Sequence, residues 1–146
     1  MFEHCLYFNA SSLSRAVSRV ADDAFRETRL NASCAYALRV IAARPRITIK
    51  ELAAELALAP STASRFVETL AARELVKRHR IPSDRRWAEL EVTESGRALG
   101  AVIDRCAHRL YGRLRNTLGH AHFDGLVGSV RYARALLDRP PAGASR

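Results

Sequence analysis

The sequence has 146 residues, which is close to the usual size of one domain and leaves no room for a second full one. Its formal charge is +9, from 24 Lys and Arg against 15 Asp and Glu, and this excess favours a polyanionic partner such as nucleic acid. The sequence lacks a long apolar run, a secretory start and the dense cysteine pattern of a secreted scaffold, so we expect a cytoplasmic protein with no membrane partner.

The first third of the chain predicts helices. Apolar residues recur at helical spacing without Gly or Pro, which predicts one long amphipathic helix over residues 5–28. A second helix is predicted over residues 32–43, because a proline follows soon after. Thr48 and Glu51 then have the spacing of a capping box, which predicts the start of a short helix over about residues 49–57.

The next helix has the pattern of a DNA-reading element. Pro60 suits the first helical position, and we predict a helix from there to about Arg73. Its apolar residues share one face and leave the polar ones free. Small polar residues let a backbone approach phosphates, and one long donor can reach a base edge. The predicted DNA-binding residues of this helix are Ser61, Thr62, Ser64 and Arg65.

A basic hairpin is predicted directly after this helix. Strand-like segments at about residues 75–80 and 87–92 flank a turn-like segment at residues 81–86. Arg85 and Arg86 lie in that segment and are candidates to enter the DNA minor groove. Two short helices followed by a basic hairpin make a helix-turn-helix with a wing.

The remaining chain completes a mainly α fold: a winged helix-turn-helix with a short β-hairpin wing and long N- and C-terminal dimerisation helices. Thr93 predicts the start of a long helix that continues to Gly119, and a last helix follows. The expected regions are a helical dimerisation region at 1–45 and 94–139, a DNA-binding region at 46–93 and a disordered tail at 140–146.

Apolar residues on the terminal helices predict a homodimer. Together they exceed what a small winged domain can cover alone. The residues that carry this prediction are Leu6, Leu110, Leu114, Phe123 and Val127.

The segment from Ile49 to Gly96 resembles the multiple antibiotic resistance regulator (MarR) family. The motifs that carry the resemblance are Glu51, Ala54 and Leu56, then Pro60-Ser-Thr-Ala-Ser-Arg65, Asp84-Arg-Arg86 and Leu90-x-Val-Thr-Glu-Ser-Gly96. The resemblance implies an obligate homodimer, joined through its terminal helices, that binds palindromic operators in double-stranded DNA. It also implies that Arg86 enters the minor groove and that Asp84 orients the wing by pairing with an arginine.

Two residues depart from the family pattern. Ala59 precedes Pro60 where the family often has Ser, which should weaken that helix start by about 1 kcal/mol. Glu74 stands where Gly commonly follows the recognition helix, so the turn must avoid a positive φ or bear strain.

The start of the chain also resembles the first helix of the family's organic-hydroperoxide sensors, through Cys5-x4-Ala-Ser-Ser12. The resemblance implies a peroxidatic thiol at Cys5. The tyrosines that orient this thiol in such sensors are replaced by Asn9 and, approximately, Cys34. Cys34 is then a candidate resolving partner, and Tyr7 and Tyr36 are candidate substitutes for the missing tyrosines. The other interpretation is a buried cysteine acting as a small hydrophobe.

The function predicted from these residues is a homodimeric, sequence-specific transcriptional regulator, a repressor released by a small-molecule ligand. Inducers in the family are frequently small phenolic or otherwise lipophilic anions. The candidate pocket residues are Phe8, Ser12, Arg15 and Tyr36.

Three alternatives stay open: a redox-sensing regulator that uses Cys5, a thiol peroxidase, and an architectural DNA-binding protein. The sequence lacks a nucleophile elbow and a Gly-rich phosphate loop, so we predict neither an enzyme nor a cofactor. No metal site is predicted either, because the pairs Cys106/His108 and His120/His122 have i, i+2 spacing, which places side chains on different faces of a helix.

Overall fold

The structure, a computed structural model, describes residues 1–81 and 84–138, with the backbone alone for residues 80, 81 and 84–87. The predicted mainly α, winged helix-turn-helix fold is confirmed. In chain order the elements are α1 (Leu6–Ala24), a 3₁₀ turn (Arg26–Thr28), α2 (Ala32–Ala43), β1 (Ile47–Thr48), α3 (Ile49–Glu55), α4 (Pro60–Ala72), β2 (Val76–Ile81), β3 (Asp84–Val92), α5 (Glu94–Leu118) and α6 (His120–Leu137). The predicted tail at 140–146 lies outside the described residues.

The first helix is shorter than the predicted span of residues 5–28. It ends at Ala24, and a 3₁₀ turn follows. The buried hydroxyl of Thr28 donates to the carbonyl oxygen of Phe25 (2.7 Å) and accepts from the amide of Leu30 (3.1 Å). Such a hydroxyl offers the backbone a local alternative to the helical hydrogen bond, which explains the early end.

The wing belongs to a small antiparallel sheet with strand order β1-β3-β2. Ile47 pairs with Leu90 across β1 and β3, and Val76 pairs with Val92 across β2 and β3. The predicted turn at residues 81–86 was too long, because β3 already begins at Asp84. Backbone pairing does not need the alternating apolar side chains on which the prediction depended.

The chain divides into two compact units, Met1–His108 and Arg109–Arg146. In the first unit, α2, α3, α4 and the sheet pack around side chains that are fully buried. The largest of these are Phe25, Leu38, Ile41, Leu52, Leu70, Leu90 and Ile103. The boundaries predicted for the dimerisation and DNA-binding regions stay a prediction.

In the second unit, Tyr111 packs edge-on against Phe123 with ring centroids 5.1 Å apart. Arg115 joins the same contact, with its guanidinium 5.5 Å from the Tyr111 ring centre and 2.9 Å from a carboxylate oxygen of Asp124. Gly119 separates α5 from α6 with a φ of +79°, a conformation that glycine adopts without strain.

The residues chosen for the dimer prediction differ in exposure. Leu110 and Phe123 are buried within the single chain, at 6% and 8% exposed. Their inclusion in an uncovered stripe was therefore wrong, because helical spacing alone does not distinguish a core stripe from an interface stripe. Leu6 and Val127 are 71% and 41% exposed and remain without cover in the single chain. Within the described residues, no helix is both long and apolar enough to span a membrane.

Candidate nucleic-acid interface

The capping box predicted at the start of α3 is confirmed. The Thr48 amide donates to Glu51 Oε2 (2.8 Å), and the Glu51 amide donates to Thr48 Oγ1 (3.3 Å). The hydrogen bonds from the main chain and side chain of Thr48 lower the pKa of the Glu51 carboxyl, against a smaller opposing effect of burial. The box fixes where α3 begins, and therefore the direction from which the chain enters the helix-turn-helix.

A tight turn joins α3 to α4. Ala57 has a φ of +53° in this turn, and the amide of Leu58 donates to the carbonyl oxygen of Ala53 (2.8 Å). These contacts satisfy the carboxyl end of α3 and place α4 against it. Helix–turn–helix geometry is thus built from local hydrogen bonds and not from a glycine.

Helix α4 is buried on one face and accessible on the other. Ala63, Val67 and Leu70 are fully buried. Of the predicted DNA-binding residues, Ser61 and Arg65 are exposed, and Thr62 and Ser64 are half-buried. Most of the polar face therefore remains available to a partner.

Two hydrogen bonds order part of this polar face. Ser64 Oγ donates to Glu68 Oε1 (3.2 Å), and Thr69 Oγ1 donates to the carbonyl oxygen of Arg65 (3.0 Å). The Ser64 hydroxyl is thus held by a carboxylate one turn further along the helix. Its predicted role in DNA binding stays a prediction.

No side chain caps the first turn of α4. Ala59 takes the N-cap position in extended conformation, and Pro60 follows at the first helical position. Amides at such a helix start need an acceptor from outside the helix, and phosphate oxygens are suitable acceptors. The amides of Thr62 and Ala63 donate to the carbonyl oxygen of Ala59 (3.0 and 3.1 Å), so the Ser61 amide is the one at this helix start that is left to water or to a ligand.

The predicted wing residues Asp84, Arg85 and Arg86 lie in β3, but their side chains lie outside the described residues. Nearer the base of the wing, Lys77 and Arg78 are exposed. His79 Nε2 lies 2.7 Å from Glu91 Oε2 on the neighbouring strand. The roles predicted for the wing residues stay predictions.

The turn after α4 adopts the conformation that its sequence disfavours. Glu74 has a φ of +56°, in the left-handed region where the family commonly has Gly. Two side chains, those of Arg73 and Thr93, hydrogen-bond at or beside this turn. Arg73 donates to the carbonyl oxygens of Thr28 and Arg29, and Thr93 Oγ1 donates to that of Glu74. These partners are distant in the chain, so no sequence pattern indicates the contacts.

The two redox candidates occupy different environments. Cys5 precedes α1 and is half-buried, whereas Cys34 is buried, with its sulfur 3.8 Å from the carbonyl oxygen of Phe66. Burial raises the pKa of the Cys34 thiol to about 11, against a smaller opposing effect of the Arg73 charge. A thiol that is so weakly acidic is a poor nucleophile, which disfavours Cys34 as a resolving partner.

Asn9, which replaces an expected tyrosine, has a structural contact instead. Its side-chain amide donates to the carbonyl oxygens of Phe2 (3.1 Å), Glu3 (3.1 Å) and Cys5 (2.9 Å). It therefore holds the first residues of the chain against the start of α1.

The two aromatic residues of the predicted ligand pocket, Phe8 and Tyr36, pack against different partners. Phe8 stacks on Phe2, with centroids 5.0 Å apart, whereas Tyr36 packs edge-on against Phe25 at 5.3 Å. Burial raises the pKa of Tyr36, with a smaller opposing effect of Arg39. The other two, Ser12 and Arg15, are exposed on α1, and this pocket stays a prediction.

A cavity of about 470 Å³ lies elsewhere, beside the end of α4, and its lining includes Glu74, Lys77 and Glu94. Two carboxylates against one lysine make it unsuited to an anionic ligand. Among the side chains that the structure describes, no group of His, Cys, Asp or Glu is placed to hold a metal ion.

Comparison with known proteins agrees with this geometry. Residues 30–87 match the model of the MarR family. The fold is similar to that of a transcriptional repressor, CouR, bound to a 23-mer DNA duplex, with a TM-score of 0.81 and 25% identity over 91% of this chain and 94% of that one. It is also similar to the S. aureus MepR–DNA complex, with a TM-score of 0.78 and 16% identity over 91% of this chain and 98% of that one.

A crystal structure of MarR has a TM-score of 0.73 and 20% identity, over 92% of each chain. No curated protein matches the sequence. The family match covers the capping box, the turn and α4, which are the elements that make the helix-turn-helix. The resemblance predicted from the sequence is confirmed over residues 30–87, which match the MarR family, and the chain has the winged helix-turn-helix fold of a DNA-binding transcriptional regulator.

Proposed function

We propose that the protein is a homodimeric, sequence-specific repressor of transcription that a small lipophilic or phenolic anion releases from DNA. The observation that carries the proposal is α4, a helix with one fully buried face and an accessible polar face whose first turn has no side-chain cap. This helix lies within the family match, and the fold is shared with proteins solved on DNA.

The first and second turns of α4 contribute differently to DNA binding. The uncapped first turn, with Ser61 exposed beside it, donates to phosphate oxygens and sets the position of the helix on the duplex. Arg65 is exposed one turn further along, where a guanidinium can meet the two acceptors of a guanine in the major groove. Arg65 is therefore the residue that reads a base.

The wing contacts the adjacent minor groove in this proposal. Arg86, with Arg85 beside it, fills the groove, and Asp84 orients the wing, as the family resemblance implies. Exposed Lys77 and Arg78 add positive charge nearer the base of the wing.

The homodimer is supported by apolar side chains that the single chain leaves exposed. On α1 they are Leu6, Tyr7, Phe8, Leu13 and Val17. On α6 they are Val127, Val130, Tyr132, Leu136 and Leu137. Helices with this much uncovered apolar surface favour association with a second copy, and a two-fold dimer presents two recognition helices to a palindromic site.

Arg15 on α1 is the cation of the candidate ligand pocket, and it suits an anionic effector. Phe8 and Tyr36 would supply aromatic surface for a phenolic ring. The protein has one form that binds DNA and one that does not. Release requires that the ligand has the higher affinity for the form that does not bind DNA.

The test begins with duplexes enriched from a randomised DNA library by the full chain. On the recovered duplex, Arg65→Ala should cost about 1–3 kcal/mol for each half-site and relax the preference at one base pair. Arg26→Ala is the matched control, because Arg26 is exposed, pairs with Asp23 and lies outside the helix-turn-helix. Both variants must remain folded.

A dissociation constant that rises equally on the recovered duplex and on random DNA would show that Arg65 contacts the backbone and not a base. Failure of the wild-type chain to enrich any sequence would contradict sequence-specific binding. Wild-type protein released from the duplex by organic hydroperoxide, with Cys5→Ser protein retained, would favour the redox-sensing alternative.

A further inference from the structure

The turn that follows the recognition helix α4, residues 73–75, is held from two sides by groups that are remote in sequence. We call these residues the junction. One set of hydrogen bonds joins the junction to the 3₁₀ turn that follows α1, and the other joins it to the start of α5.

On the first side, Arg73 Nη1 donates to the carbonyl oxygen of Arg29 (2.9 Å), and Arg73 Nη2 donates to that of Thr28 (3.2 Å). A guanidinium presents these donors in a fixed planar fork, so two acceptors define its orientation as well as its position. Arg73 is itself the C-cap residue of α4. The fork therefore fixes the end of the recognition helix directly.

The two acceptor carbonyls are rigidly connected to α1. The amide of Phe25 donates to the carbonyl oxygen of Ala21 (3.0 Å), and the amide of Thr28 donates to that of Phe25 (2.9 Å). Thr28 is 1% exposed, and its hydroxyl closes the turn. Hydrogen bonds thus run without a break from α1 through the 3₁₀ turn to the atoms that Arg73 contacts.

On the second side, Thr93 connects the junction to α5. Thr93 Oγ1 donates to the carbonyl oxygen of Glu74 (2.7 Å) and accepts from the amide of Gly96 (3.0 Å). The amide of Thr93 donates to the carbonyl oxygen of Leu75 (3.0 Å). The first turn of α5 and the end of α4 are therefore parts of one hydrogen-bonded unit.

We propose that Arg73 and Thr93 are positioning residues that set the orientation of the recognition helix relative to α1 and α5, and so fix the half-site spacing that the dimer accepts. The inference rests on the proposed function, in which a dimer formed through the terminal helices binds two half-sites. Spacing follows from how rigidly each recognition helix is held against the dimer. The fork and the Thr93 hydroxyl supply that rigidity, since both connect α4 to helices of the proposed dimer.

The test uses the duplex enriched by the wild-type chain, together with versions that carry one base pair more or fewer between the half-sites. One base pair moves a half-site by about 3.4 Å along the axis and turns it by about 35°. We expect wild type to lose affinity on both altered duplexes. Arg73→Met removes the guanidinium and with it the two hydrogen bonds of the fork. It should reduce this spacing penalty by about tenfold, which is the effect on affinity of losing about one charge-assisted hydrogen bond.

Control variants separate positioning from charge and from stability. Arg26→Met also removes an exposed charge, from the first residue of the 3₁₀ turn, but the carboxylate partner of Arg26 is Asp23, within the same part of the chain. Asn31→Ala removes the side-chain cap of α2, which accepts from the Cys34 amide (2.8 Å), and serves as the control for lost stability. Both controls should keep the wild-type spacing penalty, and Arg73→Lys, with one donor group in place of the fork, should recover part of it.

Thr93→Val gives an independent measurement, because it removes the hydroxyl with almost no change in volume. It replaces Arg73→Met if that variant does not fold, and it should reduce the spacing penalty in the same direction. A penalty that stays at the wild-type value in both folded variants overturns the inference. A wild-type protein that tolerates every spacing equally also overturns it, whereas a wild-type protein that enriches no duplex instead contradicts the proposed function.

Discussion

Among the glycines that the structure describes, Gly96 is the one at which an added methyl group would meet other atoms. It lies in the first turn of α5, and a Cβ added there would overlap the carbonyl oxygen of Leu75 and lie 2.7 Å from Val92 Cγ2. The Leu75 carbonyl cannot move freely, because it accepts the hydrogen bond from the Thr93 amide (3.0 Å). Gly96→Ala must therefore displace backbone and not only a flexible side chain.

The magnitude follows from opposing effects. Forcing a methyl group into a filled site costs about 1–3 kcal/mol, and weakening one backbone hydrogen bond adds about 1 kcal/mol. The better helix propensity of alanine returns up to about 1 kcal/mol. We therefore expect Gly96→Ala to lower the free energy of unfolding by about 1–3 kcal/mol.

Gly100, one turn further along the same helix, is the matched control. A Cβ added to Gly100 meets nothing within 4 Å, so Gly100→Ala should raise the free energy of unfolding by about 0.5–1 kcal/mol. Urea denaturation followed by circular dichroism measures both variants, at one protein concentration because association contributes to stability. If Gly96→Ala unfolds at the same urea concentration as wild type, or if both variants shift alike, the close approach of α5 to Leu75 is wrong.

Two further variants, measured by the same denaturation method, and one thiol-labelling experiment test other parts of the structure. Glu74→Gly should raise the free energy of unfolding by about 1 kcal/mol, because Glu74 has a φ of +56°; a loss of stability would contradict that backbone conformation. Glu51→Gln should be less stable than wild type at neutral pH, and the difference should shrink as the pH falls below about 4.3, since hydrogen bonds from Thr48 lower the pKa of Glu51 in the folded state; a difference that is constant with pH would contradict the capping box. Iodoacetamide at pH 8 should alkylate Cys34 slowly, because a thiol with a pKa of about 11 is ionised in only about one molecule in a thousand; labelling of Cys34 as fast as that of Cys5 would refute its burial.

The parts of the fold that sequence predicted well are those with local causes. The capping box at Thr48 and Glu51 depends on residues three apart, and Pro60 marks a helix start by itself. The apolar face predicted for α4 follows from helical periodicity, and it is the buried face, with Ala63 and Leu70 fully buried. Most of the features that define the helix-turn-helix of this chain depend on residues close together in sequence. It could therefore be recognised from the sequence alone.

The parts that sequence did not predict depend on distant contacts. Arg73 lies 44 and 45 residues from the carbonyls to which it donates, and no spacing rule connects them. Leu6 and Phe123 belong to similar apolar stripes, yet Leu6 is exposed and Phe123 is buried. Periodicity identifies which face of a helix is apolar but not whether the same chain or a second copy covers it.

The exposure of side chains also differs between the start of α1 and the residues that follow its end. Near its start, Leu6 and Tyr7 are exposed, whereas just beyond its end Phe25 and Thr28 are fully or almost fully buried. In the proposed dimer, the exposed start of α1 contacts the second copy, while the buried 3₁₀ turn that follows α1 is joined through Arg73 to the recognition helix. A ligand that moves the exposed end against the partner would therefore also move α4. The candidate ligand residue Arg15 lies between these two ends, where a small displacement of α1 would alter the distance between the recognition helices.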